Sequence, residues 1–221
     1  QLDKEWWDGE VTEESRIGKS RQALFAMTDV SLCDFEGTMV TFINENIMTD
    51  LGLEDPYELV RSGKWTFDKF CEFMHAGASL NGDESFTLKQ DGNARYGVAS
   101  YGRGSAALIT GAGIDSAYID KDGRPQIGYT GDKFYTYFET IKDAFSVAGD
   151  YILANTGTVN DQSHYEGIFK SGRALMTIAQ LKAANNYRDM ADAYGILPIP
   201  KYDEIQKDYH CLRSFTYLMC V

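Results

Sequence analysis

Phe169-Lys-Ser-Gly172-Arg-Ala174-Leu-Met-Thr-Ile-Ala179-Gln-Leu181, followed by Tyr194-Gly-Ile-Leu-Pro198-Ile-Pro200-Lys201, decides the fold of this chain. Ser171-Gly172 closes a helix, because glycine accepts the left-handed conformation that ends one. Ala174 to Ala179 is a short apolar run with Ile and Thr, the profile of a buried strand. Leu181 to Ala193 places apolar residues near helical spacing, with Arg188 and Asp189 on the wet side, and predicts a second helix. Gly195 to Leu197 predicts the next strand, which Pro198 and Pro200 stop, since proline gives no ladder hydrogen bond. Together these make a β-α-β unit. In open α/β sheets ligands sit at the carboxyl ends of such strands, here the turn at Ala179-Gln180.

Upstream, Met39 to Asn44 predicts a strand rich in β-branched residues. Glu45–Leu51 and Pro56–Arg61 predict short helices, Pro56 suiting a first turn and Gly63 a stop. Thr66 is placed to cap the next helix, with Asp68 favourable to its dipole. In that helix Phe67, Phe70, Phe73 and Met74 recur at helical spacing, a stripe for the core. Leu80 to Tyr96 is a polar loop whose Asn81-Gly-Asp-Glu and Asp91-Gly-Asn lack the acid spacing of a calcium loop, and it is assigned to turns.

Tyr96 to Ser100 predicts a strand, and Tyr101-Gly-Arg-Gly-Ser105 follows it. Glycines there let a ligand approach the backbone. Arg103 offers a planar fork of donors, and Tyr101 a flat face and a hydroxyl. The third glycine of a dinucleotide fingerprint is missing. Residues 104–113 predict a small-residue helix, and Asp122-Gly123 a hairpin turn between Tyr118-Ile119 and Ile127–Tyr129. Thr130 then caps a helix carrying Phe134, Tyr137, Phe138, Ile141 and Phe145. Gly149 to Val159 is assigned to loop. Asn160 or Asp161 caps a helix to Lys170, Tyr202–Asp208 is a polar, helix-compatible segment, and a last strand starts at Leu212.

Composition narrows the function. Acidic residues number 33 against 21 basic, a net charge of −12. Such a chain has no general attraction for phosphate backbones, which excludes nucleic acid as a partner. Fourteen Tyr, twelve Phe and three Trp supply a core and surplus faces for stacking on sugar rings or other flat apolar faces. Cys33, Cys71, Cys211 and Cys220 lack Cys-x-x-Cys spacing, so no zinc site is expected, and a disulfide is neither assigned nor excluded. His75, His164 and His210 form no metal spacing. Nucleophile-elbow and P-loop motifs are absent. The chemistry favours binding over catalysis, with no cofactor. The chain opens at Gln1 without a signal peptide or lipid-anchor cysteine and ends in strand-like Ser214–Val221, and it is expected to be a piece of a longer protein.

Two stretches carry a family resemblance. One is the opening stretch, with its Phe, Ser/Gly pair, small-residue strand with Met, turn, helix and Pro-x-Pro. The other is Phe42-Ile-Asn44-Glu45, then Gly52-Leu-Glu-Asp55-Pro56-Tyr-Glu-Leu-Val60 and Gly63-Lys-Trp65-Thr66. In that order they resemble the sugar-type extracellular solute-binding proteins of bacterial ABC importers. The resemblance implies a periplasmic-binding-protein-like α/β lobe, a central mixed sheet flanked by helices, with hinge strands. It assigns residues 1–37 to the end of a first lobe, 38–44 to a hinge strand, 45–209 to a second lobe and 210–221 to the return hinge strand. It implies a monomer that binds a carbohydrate, expected to be an oligosaccharide, in an inter-lobe cleft and delivers it to a membrane permease, outside the cell as a lipoprotein or in the periplasm.

Matched positions give the implied ligand set. The acid before the hinge strand is Asp34 or Glu36, whose carboxylate would accept sugar hydroxyls. The post-strand turn gives Ser100, Tyr101 and Arg103. The strand-to-helix turn gives Gln180, flanked by Ala179 and Leu181. Family members often carry an aromatic at that last turn. This chain does not, which points to a smaller or more polar ligand. Trp65 matches as a buried anchor. A glycan-active enzyme fragment and an adhesion or sensing module of the same fold are the alternatives.

Overall fold

The computed structural model describes residues 4–20, 22–28, 33–214 and 219–220, and only the backbone of Glu10, Glu14, Cys33, Asp34, Met219 and Cys220. In chain order the elements are α1 Gly9–Glu14, β1 Phe25–Ala26, α2 Cys33–Glu36, β2 Met39–Asn44, α3 Glu45–Asp50, α4 Pro56–Arg61 and α5 Phe67–Gly77. Then come β3 Tyr96–Ser100, α6 Arg103–Gly111, β4 Ala117–Ile119, β5 Pro125–Ile127, α7 Asp132–Ala144, β6 Tyr151–Leu153 and α8 Tyr165–Lys170. The chain finishes with β7 Ala174–Gln180, a 3-10 helix Leu181–Asn186, β8 Tyr194–Leu197 and β9 Met219–Cys220.

The central sheet has five strands in the order β6-β3-β7-β2-β8. β3 runs parallel to both β6 and β7, while β2 runs antiparallel to β7 and β8. β7 and β8 are therefore parallel to each other, as a β-α-β unit requires, but β2 lies between them. The register sets Met39 opposite Gln180, Thr41 opposite Leu197, and Ser100 opposite both Leu153 and Ile178. One edge of the sheet thus gathers the carboxyl ends of β3, β6, β7 and β8 with the start of β2.

Both sheet faces are covered. Every residue of β2 and β3 is buried, as are Ala174 to Ala179 of β7. On one face Met39, Ile43, Met176 and Ile178 meet Phe67, Phe70, Phe73 and Met74 of α5 and Tyr137 and Ile141 of α7. α5 comes so close that a Cβ on Gly97 of β3 would strike the Met74 carbonyl, so glycine is required there by backbone contact. On the other face Val40 and Phe42 meet Ile168 and Phe169 of α8 and Tyr187. Phe42 sits edge-on to Tyr187 at 5.1 Å, a favoured aromatic geometry.

Local signals explain most helix ends. Asn44 accepts from the Ile47 amide at 3.0 Å and caps α3, and Asp55 accepts from Tyr57 at 2.8 Å and caps α4. Thr66 caps α5 as expected. Trp65 is fully buried and donates its indole N–H to the Pro198 carbonyl at 2.9 Å. Arg173, also buried, binds the carbonyls of Ala94 and Lys89 at 3.2 and 2.9 Å and holds down the loop between α5 and β3. The β4–β5 hairpin turns at Gly123, whose φ is +79°.

Several local expectations are corrected. The helix expected over 181–193 is a 3-10 helix ending at Asn186, because the segment only has to cross one sheet edge. α7 starts behind Gly131 at φ +84°, not behind a Thr130 cap. α8 is capped by His164, whose ring nitrogen accepts from the Glu166 amide, not by Asn160 or Asp161. The loop 149–159 contains the edge strand β6. Tyr202–Asp208 forms turns braced by Asp203 and Gln206, not a helix. After Leu212 the described residues show a bridge from Arg213 to Thr38 and the two-residue β9. Cys71 is a free thiol, while the side chains of Cys33 and Cys220 lie outside the described residues.

Candidate functional site at the carboxyl edge of the sheet

The chain passes twice between the main sheet and the small unit formed by α1, β1 and β9, and the two passages lie side by side. Met39 N–H donates to the Leu212 carbonyl at 2.8 Å, and Ser214 N–H to the Gly37 carbonyl at 2.9 Å. β1 pairs with β9 beyond them. A second link joins this unit to the main body: Gly18 N–H donates to the Gly123 carbonyl at the hairpin tip, at 2.8 Å.

Ser214, in the second passage, is where the sequence-predicted residues converge. Its carbonyl accepts from Arg103 at 3.1 Å. Its hydroxyl accepts from the Gln180 amide and itself donates to the Gly37 carbonyl at 3.2 Å. The Tyr101 hydroxyl, beside them, donates to the Met39 sulfur at 3.4 Å. Residues more than a hundred positions apart in the sequence thus share one hub. Burial pushes the Tyr101 hydroxyl above its ordinary pKa, and the Arg103 charge partly offsets this. Its ring stacks on Tyr165 at 4.9 Å with the planes 18° apart.

The predicted residues divide into groups. Tyr101, Gln180 and Glu36 are half-buried at this edge, and Arg103 is exposed. Ser100 is fully buried, and its hydroxyl donates to the Ile178 carbonyl at 2.9 Å. Its side chain therefore points into the sheet and leaves the edge to its neighbours. The backbone of Asp34 is on α2, but its side chain lies outside the described residues.

Beside the hub an open cavity of about 260 Å³ is lined by Glu36, Glu166, Gln180, Lys182, Ala183, Asn185 and Asn186. Glu166 is 7% exposed. One carboxylate oxygen accepts from the Tyr165 hydroxyl at 2.9 Å, the other from Asn186 Nδ2 at 2.6 Å. Burial first, and then the charge of Glu166, drive the Tyr165 hydroxyl far above its ordinary pKa, so it remains a donor. Sequence reasoning missed Glu166, Asn186 and Ser214. An acid on a short helix looks solvated until the 3-10 helix is folded over it, and Ser214 matters only because two distant passages meet. A larger open groove of about 640 Å³ involves Glu54, Lys69, Glu72 and Asp203 and none of the predicted residues. Its Lys69 is held by Glu54 and Glu72 at 2.8 and 2.6 Å.

No protein-family model and no curated protein sequence matches the chain. Solved structures do. A cyclo/maltodextrin-binding protein complexed with maltotetraose is 17% identical with a TM-score of 0.51, over 83% of this chain and 40% of that one. An ABC substrate-binding protein from Listeria monocytogenes in complex with cycloalternan is 10% identical with a TM-score of 0.54, over 86% and 42%. The Thermus thermophilus maltotriose binding protein bound with maltotriose is 16% identical with a TM-score of 0.50, over 89% and 44%. The chain spans less than half the length of these proteins. At such identities the likeness defines the architecture: a periplasmic-binding-protein-like α/β fold with a central mixed sheet flanked by helices.

Proposed function

We propose that this chain is the ligand-binding part of an extracellular solute-binding protein of an ABC importer, and that its solute is a carbohydrate. In this reading residues 1–37 belong to one lobe and 45–209 to the other. Residues 38–44 and 210–221 are the hinge strands. The sugar lies in the inter-lobe cleft, against the carboxyl edge of the sheet, and the closed monomer delivers it to a membrane permease without chemical change. Glu36, Tyr101, Arg103 and Gln180 contact the ligand, Ser100 fixes the turn that carries two of them, and Asp34 stands on α2 beside Glu36.

The observation that carries this reading is the convergence of Arg103 and Gln180 on Ser214, where the two passages lie together, with Tyr101 beside them on Met39 at the start of β2. A ligand that engages these side chains bears directly on the segments between the two units. Forked donors, amides and a carboxylate beside a tyrosine ring suit a polyhydroxylated ligand. The sugar-bound neighbours of the same fold support the choice of solute.

Thermal unfolding against mono- and oligosaccharides tests it. A sugar at 100 times its dissociation constant adds about 2.7 kcal/mol. Arg103→Ala and Gln180→Ala should each weaken binding by ~1–3 kcal/mol with the fold intact, because a polar partner is left unpaired. Parent-like binding by both variants refutes the site. Cleavage of the sugar would establish a glycan-active enzyme instead.

A further inference from the structure

We infer that the Glu166 cavity is a subsite for a single uncharged sugar unit, and that the Glu166 carboxylate grips two adjacent hydroxyls of it. This rests on the carbohydrate reading of the carboxyl edge and adds to it a named pocket and the ligand feature that the pocket selects.

Size is the first argument. About 260 Å³ holds roughly nine waters at ~30 Å³ each, room for one pyranose ring, and because the cavity is open any further unit of a longer sugar extends out of it. The lining comes next. Of its seven residues only Ala183 is apolar, so a ligand needs hydroxyls or amides to meet the polar groups, while the stems of the long side chains leave apolar surface for a ring face. Glu36 and Glu166 outnumber Lys182, which disfavours a phosphate or a uronate. A neutral ligand rich in hydroxyls is what remains.

Glu166 supplies the selectivity. Each of its two oxygens is held, one by Tyr165 and the other by Asn186. Each keeps further acceptor capacity. Two oxygens in one plane, held still and largely shielded from water, match a pair of neighbouring O–H donors as they match a guanidinium fork. Because the bracing is complete before ligand arrives, little ordering cost remains on binding. Gln180, which lines the same cavity and also binds Ser214, joins this subsite to the hub.

Calorimetric titration of the chain with D-glucose, D-mannose, D-galactose and maltotriose provides the test, together with Glu166→Gln, Asn186→Ala and Arg103→Ala. The sugar that binds the parent should bind Glu166→Gln at least tenfold more weakly and Asn186→Ala several-fold more weakly. Independently of any variant, single-deoxy analogues of that sugar should include two, at adjacent carbons, that lose at least tenfold on the parent. Neither should lose further on Glu166→Gln. Glu166→Gln binding within twofold of the parent, or deoxy analogues that all bind alike, overturns the subsite. If Arg103→Ala is weakened while Glu166→Gln is not, the subsite falls and the carbohydrate reading stands. If none of the sugars binds the parent, both fall.

Discussion

Replacing Trp65 by Phe separates a structural anchor from a ligand contact. The indole is 0% exposed and donates to the Pro198 carbonyl at 2.9 Å. It also lies edge-on to Phe73 with ring centroids 5.6 Å apart. Phenylalanine removes the N–H and leaves that carbonyl without its partner, at ~1–3 kcal/mol. The smaller ring gives up buried apolar surface worth about 1.5 kcal/mol, at ~0.8 kcal/mol per methylene-sized group. The sum is about 3 kcal/mol. At ~2–4 °C per kcal/mol for a chain of this size, the midpoint should fall by about 6–12 °C. Urea titration followed by far-UV circular dichroism reads the loss, and calorimetry on the same sample reads sugar affinity, which should stay within twofold of the parent. A stability loss below ~1 kcal/mol would refute the buried hydrogen bond. A tenfold affinity loss with normal stability would place the indole at the ligand.

Other outcomes follow from single groups. Asn44→Ala removes both the α3 cap and the bond to Asp192 at 2.8 Å, and should cost ~1–2 kcal/mol in urea titration; no change would mean that α3 is held by packing alone. Burial pushes the Cys71 thiol up to about 12 from an ordinary 9.0. At pH 8 only about one thiol in 10⁴ is then thiolate, so iodoacetamide labelling mapped by peptide mass should lag a peptide thiol roughly a thousandfold. Asp83 accepts the amides of Ala94 and Asn93, each at 2.8 Å, which lowers its pKa below the ordinary 3.8. The folded state thus favours the ionised form. That stabilisation is complete above pH ~4 and is lost as pH falls through the lowered pKa. Asp83→Asn should flatten the acid limb of a stability–pH profile below pH 4 and leave its shape at neutral pH unchanged; an identical acid limb would count against the bonds.

Much of the fold is legible because its signals are local. The α5 stripe Phe67, Phe70, Phe73 and Met74 is buried as its spacing requires. β2 and β7 are short apolar runs, and both are covered on two faces. The hairpin over Asp122-Gly123 needs a positive φ that glycine supplies. Misreadings occur where apolar spacing is weak and geometry decides. Residues 187–193 have helix-compatible residues but only a sheet edge to cross. Thr130 and Asp161 are sound caps in isolation, and the neighbouring Gly131 and His164 hold the positions that packing selects.

The sequence by itself determined most of the longer elements, among them β2, α5, β3, α7 and β7, and the turns that would carry Tyr101, Arg103 and Gln180, because periodicity, capping and turn chemistry act within a few residues; the burial of Trp65 was implied by the family resemblance. The tertiary structure alone decided that β2 inserts antiparallel between β7 and β8. It also decided that Arg103 and Gln180 meet at Ser214, and that Glu166 becomes the braced acid of a polar cavity. Those outcomes depend on pairings between residues up to more than a hundred positions apart. Nothing in a residue's own neighbourhood encodes which distant strand, or which passage of the chain, will come to lie against it.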